Sequence, residues 1–98
     1  MLRLVPDIPP PSAYLVPLRI DRSRAPVYRL NNDGAEELRG ISLTLLGAGV
    51  LLAGIPSRLQ PGDFIEFTLR GDDLARSSVV IVRWFRRCGD EYLWRVSF

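Results

Sequence analysis

The sequence predicts an all-β fold, arranged as a small closed antiparallel β-barrel that follows an extended N-terminal arm. Short apolar segments recur at even spacing, and turns containing Gly and Pro separate them, which is typical of antiparallel barrels. The chain carries no convincing long amphipathic helix pattern. A length of 98 residues suffices for one domain with one core. We assign residues 1–12 to a proline-rich arm and residues 13–98 to the barrel.

The run between Arg39 and Arg58 contains no charged residue. Such a run could form a membrane span, a dinucleotide-binding strand–turn–helix, or two strands joined at a corner. The run is slightly shorter than the roughly 20 apolar residues of a membrane span, and it contains several glycines. It also reads Gly47-x-Gly49 after an apolar segment, as a dinucleotide site would, but Pro56 leaves little room for the helix that such a site needs. The pattern therefore favours two buried strands that meet at a sharp glycine corner. We expect no membrane span.

The composition argues against enzyme chemistry. The chain has no His, no Lys and a single cysteine, Cys88, so it offers no plausible catalytic triad, Schiff-base lysine or zinc site. We predict a non-enzymatic protein that requires no cofactor. A single cysteine rules out an internal disulfide, and prolines interrupt the N-terminal segment where a signal peptide would have its apolar core. These features predict a cytoplasmic protein.

The first half of the chain alternates apolar segments with turn and loop signals. The Asn-Asn-Asp-Gly sequence at 31–34 is a strong turn signal. The segment from Pro56 to Pro61 is a loop in which Leu59 is the apolar plug. An arginine-rich stretch that ends at Pro26 connects the first two extended segments. The strands or extended segments predicted in this half are 13–20, 27–30, 37–46 and 50–55.

The second half shows the two-residue alternation of half-buried strands. Polar turns at 70–73 and 87–90 separate its segments. The predicted strands are 63–69, 77–86 and 91–98. In the first of these one face carries Ile65, Phe67 and Leu69, and in the last one face carries Tyr92, Trp94, Val96 and Phe98.

The glycine corner carries a motif. It reads Ser42-x-Thr44-x-x-Gly47, after an arginine-rich lead-in and before a Pro-Gly loop and a final Val-Ser-Phe. This order, over residues 16–98, resembles the PilZ domain family, whose members are bacterial six-stranded β-barrels that in many cases bind cyclic di-GMP. The family's corner motif is Asp/Asn-x-Ser-x-x-Gly, so the glycine matches, Thr44 replaces one hydroxyl by another, and Ser42 replaces the acid or amide. The family's Arg-x-x-x-Arg motif is absent as written, because no two arginines of the lead-in stand four apart.

The resemblance implies a six-stranded antiparallel barrel with a candidate cyclic di-GMP site. Arginine forks can bind a phosphate together with the Hoogsteen edge of guanine, and can also stack on the base. Where the family has a carboxylate or amide that accepts from guanine N–H groups, this chain has the single hydroxyl of Ser42. The candidate ligand-binding residues are Arg19, Arg22, Arg24, Ser42, Thr44 and Gly47.

Two functions are compatible with this resemblance. One is a signalling or adaptor module that receives cyclic di-GMP through an atypical arginine cluster. The other is a PilZ-like barrel that no longer binds nucleotide and acts through protein contacts. Either would have a protein partner in motility, pilus or polysaccharide machinery. The basic and aromatic run at 83–87 would suit single-stranded nucleic acid, but strand alternation divides its side chains between two faces, so we do not expect a nucleic-acid partner.

Apolar residues on both faces of the strand at 77–86 predict self-association. Only one face can point into the core. The other needs cover from the arm or from another molecule, because large exposed apolar patches are unusual on monomers. We therefore expect a homodimer. The two faces carry Val80, Val82 and Trp84 on one side, and Val79, Ile81 and Phe85 on the other.

Overall fold

Nine strands and one short helix form in the part of the chain that the computed structural model describes, residues 2–4 and 14–98. Strands β1 to β5 span Leu2–Leu4, Leu18–Arg24, Val27–Asn32, Leu38–Gly47 and Val50–Ala53. Strands β6 to β9 span Arg58–Leu59, Phe64–Arg70, Ser78–Phe85 and Glu91–Ser97, and helix α1 spans Leu74–Ser77. The predicted all-β class is confirmed. No helix in these ranges is long and apolar enough to cross a membrane.

The strands pair into two sheets that contribute to one core. The first sheet has the order β1-β9-β8-β4-β6, and the second has the order β2-β3-β7-β5. Strand β1, which belongs to the predicted arm, runs parallel to β9, and the other neighbouring strands are antiparallel. The core contains side chains of both sheets, with Trp84 of β8 and Phe67 of β7 among the largest. The rest of the predicted arm, residues 1 and 5–12, lies outside the described residues.

The predicted closed six-stranded barrel is not confirmed. Within the described ranges the hydrogen-bonded strands form two separate sheets, of five and four strands. One reason is the glycine corner, where the chain changes sheet, so that β4 pairs with β8 while β5 pairs with β7. A second reason is that β6 has only 2 residues, because it lies in a loop bounded by Pro56 and Pro61, and proline cannot donate to a ladder.

The charge-free run forms a strand, a glycine corner and a second strand, as predicted. Gly47 and Gly49 have φ values of 98° and 119°, a region that side chains other than glycine rarely adopt. The burial predicted for the second strand is wrong, since Val50 and Leu52 are 56% and 63% exposed. The reason is that β5 is an edge strand, in which Leu51 is the residue that packs against the core.

The faces predicted for the second half are confirmed, and so is the apolar plug in the loop. Alternate residues of β7, β8 and β9 point into the core, because the side-chain period of a strand is two. The buried members are Ile65, Phe67, Leu69, Val80, Val82, Trp84, Tyr92, Val96 and the plug Leu59. Two further members of the predicted faces, Trp94 and Phe98, pack against this core and are partly buried.

The structure differs from the prediction in three further places. The arginine-rich stretch is not a connection but most of strand β2, which pairs with β3 across the turn at Ala25-Pro26. Strand β3 continues through Asn32, so the chain bends later, at 34–36. The turn propensity of asparagine is overridden there because the Asn32 side chain is buried and hydrogen bonded to the carbonyls of Glu36 and Leu59. The third difference is α1, a single helical turn that precedes β8.

Candidate functional site

Ser42 and Thr44 lie on the outer face of the five-stranded sheet. They belong to β4, and Leu43 between them packs against the core, so strand alternation directs the two hydroxyls outward. In the ladder with β8, Ser42 is opposite Arg83 and Thr44 is opposite Ile81. Because residues opposite each other on antiparallel strands share a face, the two hydroxyls and the Arg83 guanidinium are neighbours.

These four residues and Leu93 line a shallow depression of about 380 Å³. The Arg83 side chain is 46% exposed, and its Nη1 lies 3.4 Å from Oε1 of Glu91. An exposed ion pair of this kind contributes little free energy, so the guanidinium can turn toward a ligand at small cost. Two hydroxyls, a cationic fork and an apolar floor form a surface suited to a molecule with a phosphate and a planar ring.

Gly47 shapes the corner beside this depression and is not part of its lining. It is opposite Ser78 in the ladder, and a Cβ on Gly47 would lie only 2.0 Å from the carbonyl oxygen of Ser77. The Ser78 hydroxyl donates a hydrogen bond to the carbonyl of Ala48, which ties the corner to the start of β8. The contribution of Gly47 is therefore to the backbone that ends β4.

The three arginines predicted as ligand contacts lie on β2, in the four-stranded sheet. The Nε of Arg19 donates to Oδ2 of Asp33 at 2.7 Å, and this hydrogen bond raises the pKa of Arg19. The guanidinium of Arg22 lies over the ring of Phe98, 4.7 Å from its centroid. Arg24 borders a separate hollow of about 150 Å³ between β2, β3 and β7. Arg19 and Arg22 therefore each have a partner within the fold, as Arg83 has in Glu91.

The predicted site residues thus fall into two groups on different sheets. The structure brings Ser42 and Thr44 together, and the arginine that joins them in the lining is Arg83, which was not among the predicted contacts. Strand alternation places Arg83 on the face opposite the core residues Val82 and Trp84, and that signal was available in the sequence. Its pairing with Ser42 was not, because it depends on an irregularity in the ladder between Arg39 and Ser42.

The basic and aromatic run at 83–87 does not form an exposed stacking platform. Trp84 is fully buried, its ring stacks on Tyr92 with centroids 5.9 Å apart, and its Nε1 donates to the hydroxyl of Tyr14 at 3.3 Å. Single-stranded nucleic acid is bound by stacking its bases on accessible rings. The largest aromatic ring of the run is therefore in the core and cannot stack on a base.

A larger hollow of about 600 Å³ is bordered by residues 14–18, 33–36 and Arg86. The Nε of Arg86 donates to Oε1 of Glu36 at 2.6 Å, and its guanidinium carbon lies 4.2 Å from the ring centroid of Tyr14. Burial raises the pKa of the Tyr14 phenol above its ordinary value of 10.0, so the phenol is neutral near pH 7. The contact of Arg86 with Glu36, at 2.6 Å, is shorter than the 3.4 Å contact of Arg83 with Glu91. This hollow is therefore a weaker candidate for an anionic ligand than the depression beside Ser42.

Comparison of the chain with protein-family models, with curated proteins and with solved structures finds no match. The candidate site is therefore defined by the geometry of its own residues. That geometry consists of two outward hydroxyls on β4, one arginine opposite them on β8, and a glycine corner at the end of β4.

Proposed function

We propose that this chain is a non-enzymatic signalling or adaptor module of the bacterial cytoplasm, similar to PilZ domains, and that it binds cyclic di-GMP on the outer face of the five-stranded sheet. In this proposal the two sheets are a PilZ-like barrel. One observation carries the proposal. The two hydroxyl residues of the corner motif, Ser42 and Thr44, face outward together, and an arginine lies opposite Ser42 in the same depression.

The chemistry of the depression supports a guanine dinucleotide as its ligand. The Arg83 fork can donate two hydrogen bonds to a phosphate or to O6 and N7 of guanine. The hydroxyls of Ser42 and Thr44 can each accept one hydrogen bond and donate another. Ile81 and Leu93 supply an apolar floor on which a purine ring can lie. The arginines of β2 form a second, separate group of candidate contacts, which the experiment below distinguishes.

Calorimetric titration with cyclic di-GMP tests this proposal. We expect saturable binding, and we expect Arg83→Ala to weaken it by about tenfold or more, since a charge-assisted hydrogen bond contributes about 1.5–3 kcal/mol. The matched control is a triple variant in which Arg19, Arg22 and Arg24 are all replaced by alanine. It should retain the wild-type affinity within about threefold, because loss of general positive charge has only a small, screened effect.

The opposite outcomes identify the alternatives. Binding lost in the triple variant but kept in Arg83→Ala would place the nucleotide on β2, as the arginine cluster in the sequence first predicts. Absence of binding heat at high micromolar cyclic di-GMP would contradict the proposal that the chain is a cyclic di-GMP receptor.

The second candidate function is an adaptor that binds no nucleotide and acts through protein contacts. The observation that favours it is the exposure of large apolar side chains around the glycine corner, with Leu46 at 52%, Val50 at 56% and Leu52 at 63%. Exposed apolar side chains that cluster in this way mark interaction sites on soluble proteins. The resemblance to PilZ domains suggests a partner in motility, pilus or polysaccharide machinery.

A further inference from the structure

Strand β5 presents an open and uncharged edge. It pairs with β7 on one side and is the last strand of its sheet among the described residues. Its other side therefore carries backbone N–H and C=O groups that a further strand could bind. Edge strands are usually protected from such pairing by charged side chains or by proline. Neither occurs within β5, and no charged residue occurs between Arg39 and Arg58.

Strand β2, at the opposite edge of the same sheet, is strongly charged. It carries Arg19, Asp21, Arg22 and Arg24 within 7 residues. In a two-fold symmetric antiparallel pair, the charges of one strand face the same set of charges on the second copy. Three of the four charged residues of β2 are arginines, so arginines would approach arginines. Strand β2 is therefore unsuited to pairing with itself, whereas β5 brings no charges together.

The space beside β5 is also open. Val50 and Leu52, which point to the outer face, are 56% and 63% exposed. Gly54 follows the strand directly, and a Cβ placed on it would meet no heavy atom within 4 Å. Among the described residues, no heavy atom therefore crowds the Cβ position at the end of β5, and the outer face of the strand is exposed.

We propose that two copies of this chain associate through β5, paired antiparallel about a two-fold axis, so that the two four-stranded sheets become one continuous sheet. Residues opposite each other in such a pair share a face. A register centred on Leu51 places Val50 opposite the partner's Leu52, and Leu52 opposite the partner's Val50. The pairing binds the free backbone groups of the edge and removes exposed apolar surface from water. This inference goes beyond the nucleotide proposal and does not depend on it.

Mass measurement by light scattering or sedimentation, without nucleotide, tests the dimer. We expect twice the chain mass of 11.1 kDa for the wild type at about 100 µM. Leu52→Lys and Leu52→Glu should each give the monomer mass, with a dissociation constant raised about tenfold or more. In this register the two copies of residue 52 are diagonal neighbours on one face, within reach of long side chains, so like charges approach each other. An equimolar mixture of the two variants should recover the dimer mass, because the lysine of one copy then lies near the glutamate of the other.

A matched control uses Leu15→Lys, at a position that is 67% exposed and lies outside every strand. This variant should retain the dimer. Circular dichroism and thermal unfolding should show that all variants are folded. Hydrogen exchange provides a test without mutation, since the amides of 50–53 in the wild type should exchange faster on dilution. A wild-type monomer at all concentrations, larger open-ended assemblies, or dimers that survive both Leu52 changes would each overturn the proposal.

Discussion

Replacing Gly47 by alanine is expected to lower the free energy of unfolding by about 3–5 kcal/mol or to prevent folding. Gly47 has a φ of 98°, where a Cβ is strained against the backbone. The added Cβ would also lie 2.0 Å from the Ser77 carbonyl oxygen and 3.0 Å from the Ser77 carbonyl carbon. These are backbone atoms of the last residue of α1, directly before β8, so relief requires the start of the ladder between β4 and β8 to shift. Denaturation in guanidinium chloride measures the loss.

Gly54→Ala is the matched control for this change. It lies in the same charge-free run, and its added Cβ would meet no heavy atom within 4 Å. We expect a change in unfolding free energy within about 1 kcal/mol, because an unstrained Gly→Ala replacement acts mainly through the unfolded chain. Equal stability of the Gly47→Ala and Gly54→Ala proteins would mean that the corner does not have the described geometry.

Replacing Asn32 by leucine is expected to cost about 2–4 kcal/mol of unfolding free energy, although leucine is the more apolar residue. Asn32 is fully buried, and its Nδ2 donates to the carbonyl oxygens of Glu36 and Leu59, both at 3.0 Å. Its Oδ1 accepts from the backbone N–H of Gly34, also at 3.0 Å. Leucine fills the space but leaves these backbone groups without their partner, and an unsatisfied buried group is costly.

The neighbouring Asn31→Ala variant is the control for this second change. The side-chain bonds of Asn31 are longer, at 3.4 Å to the carbonyl of Arg19 and 3.3 Å to that of Arg29, and the residue is partly exposed. Its loss should cost less than about 1 kcal/mol, since water can replace these contacts. Equilibrium denaturation of both variants gives the comparison. A loss for Asn32→Leu no larger than that for Asn31→Ala would contradict the buried network.

The second half of the fold was predictable because its strands are buried on one face. Alternation in β7 and β9 is imposed by the core, so a period of two in the sequence reports the inward side of these strands directly. Strand β8 is apolar on both faces, and its sequence shows only that one of the two faces points inward. The plug Leu59 was predictable because it is an isolated apolar residue between two prolines. In these places local pattern and packing agree, and side chains such as Phe67 and Tyr92 are buried as expected.

The parts that could not be predicted depend on pairing between distant segments. The apolar residues of β5 suggest burial, but the position of this strand at the edge of a sheet leaves Val50 and Leu52 exposed. Asparagine is typical of turns, and Asn32 lies in a strand because its side chain is hydrogen bonded to the carbonyls of Glu36 and Leu59, 4 and 27 residues away. The position of Arg83 opposite Ser42 likewise follows from the register of β4 with β8. Neither exposure at an edge nor strand register is encoded in a local pattern.

The most direct test of the proposed nucleotide site is a titration of isotopically labelled protein with cyclic di-GMP, followed by the backbone amide signals in nuclear magnetic resonance. We predict progressive, saturable shifts for residues 42–44 on β4 and 81–83 on β8, two of the strands that line the depression. Signals of β2, including those of Arg19, Arg22 and Arg24, should move little. Shifts confined to β2, or no shifts at about 1 mM nucleotide, would contradict it, since even a millimolar dissociation constant would give half occupancy there.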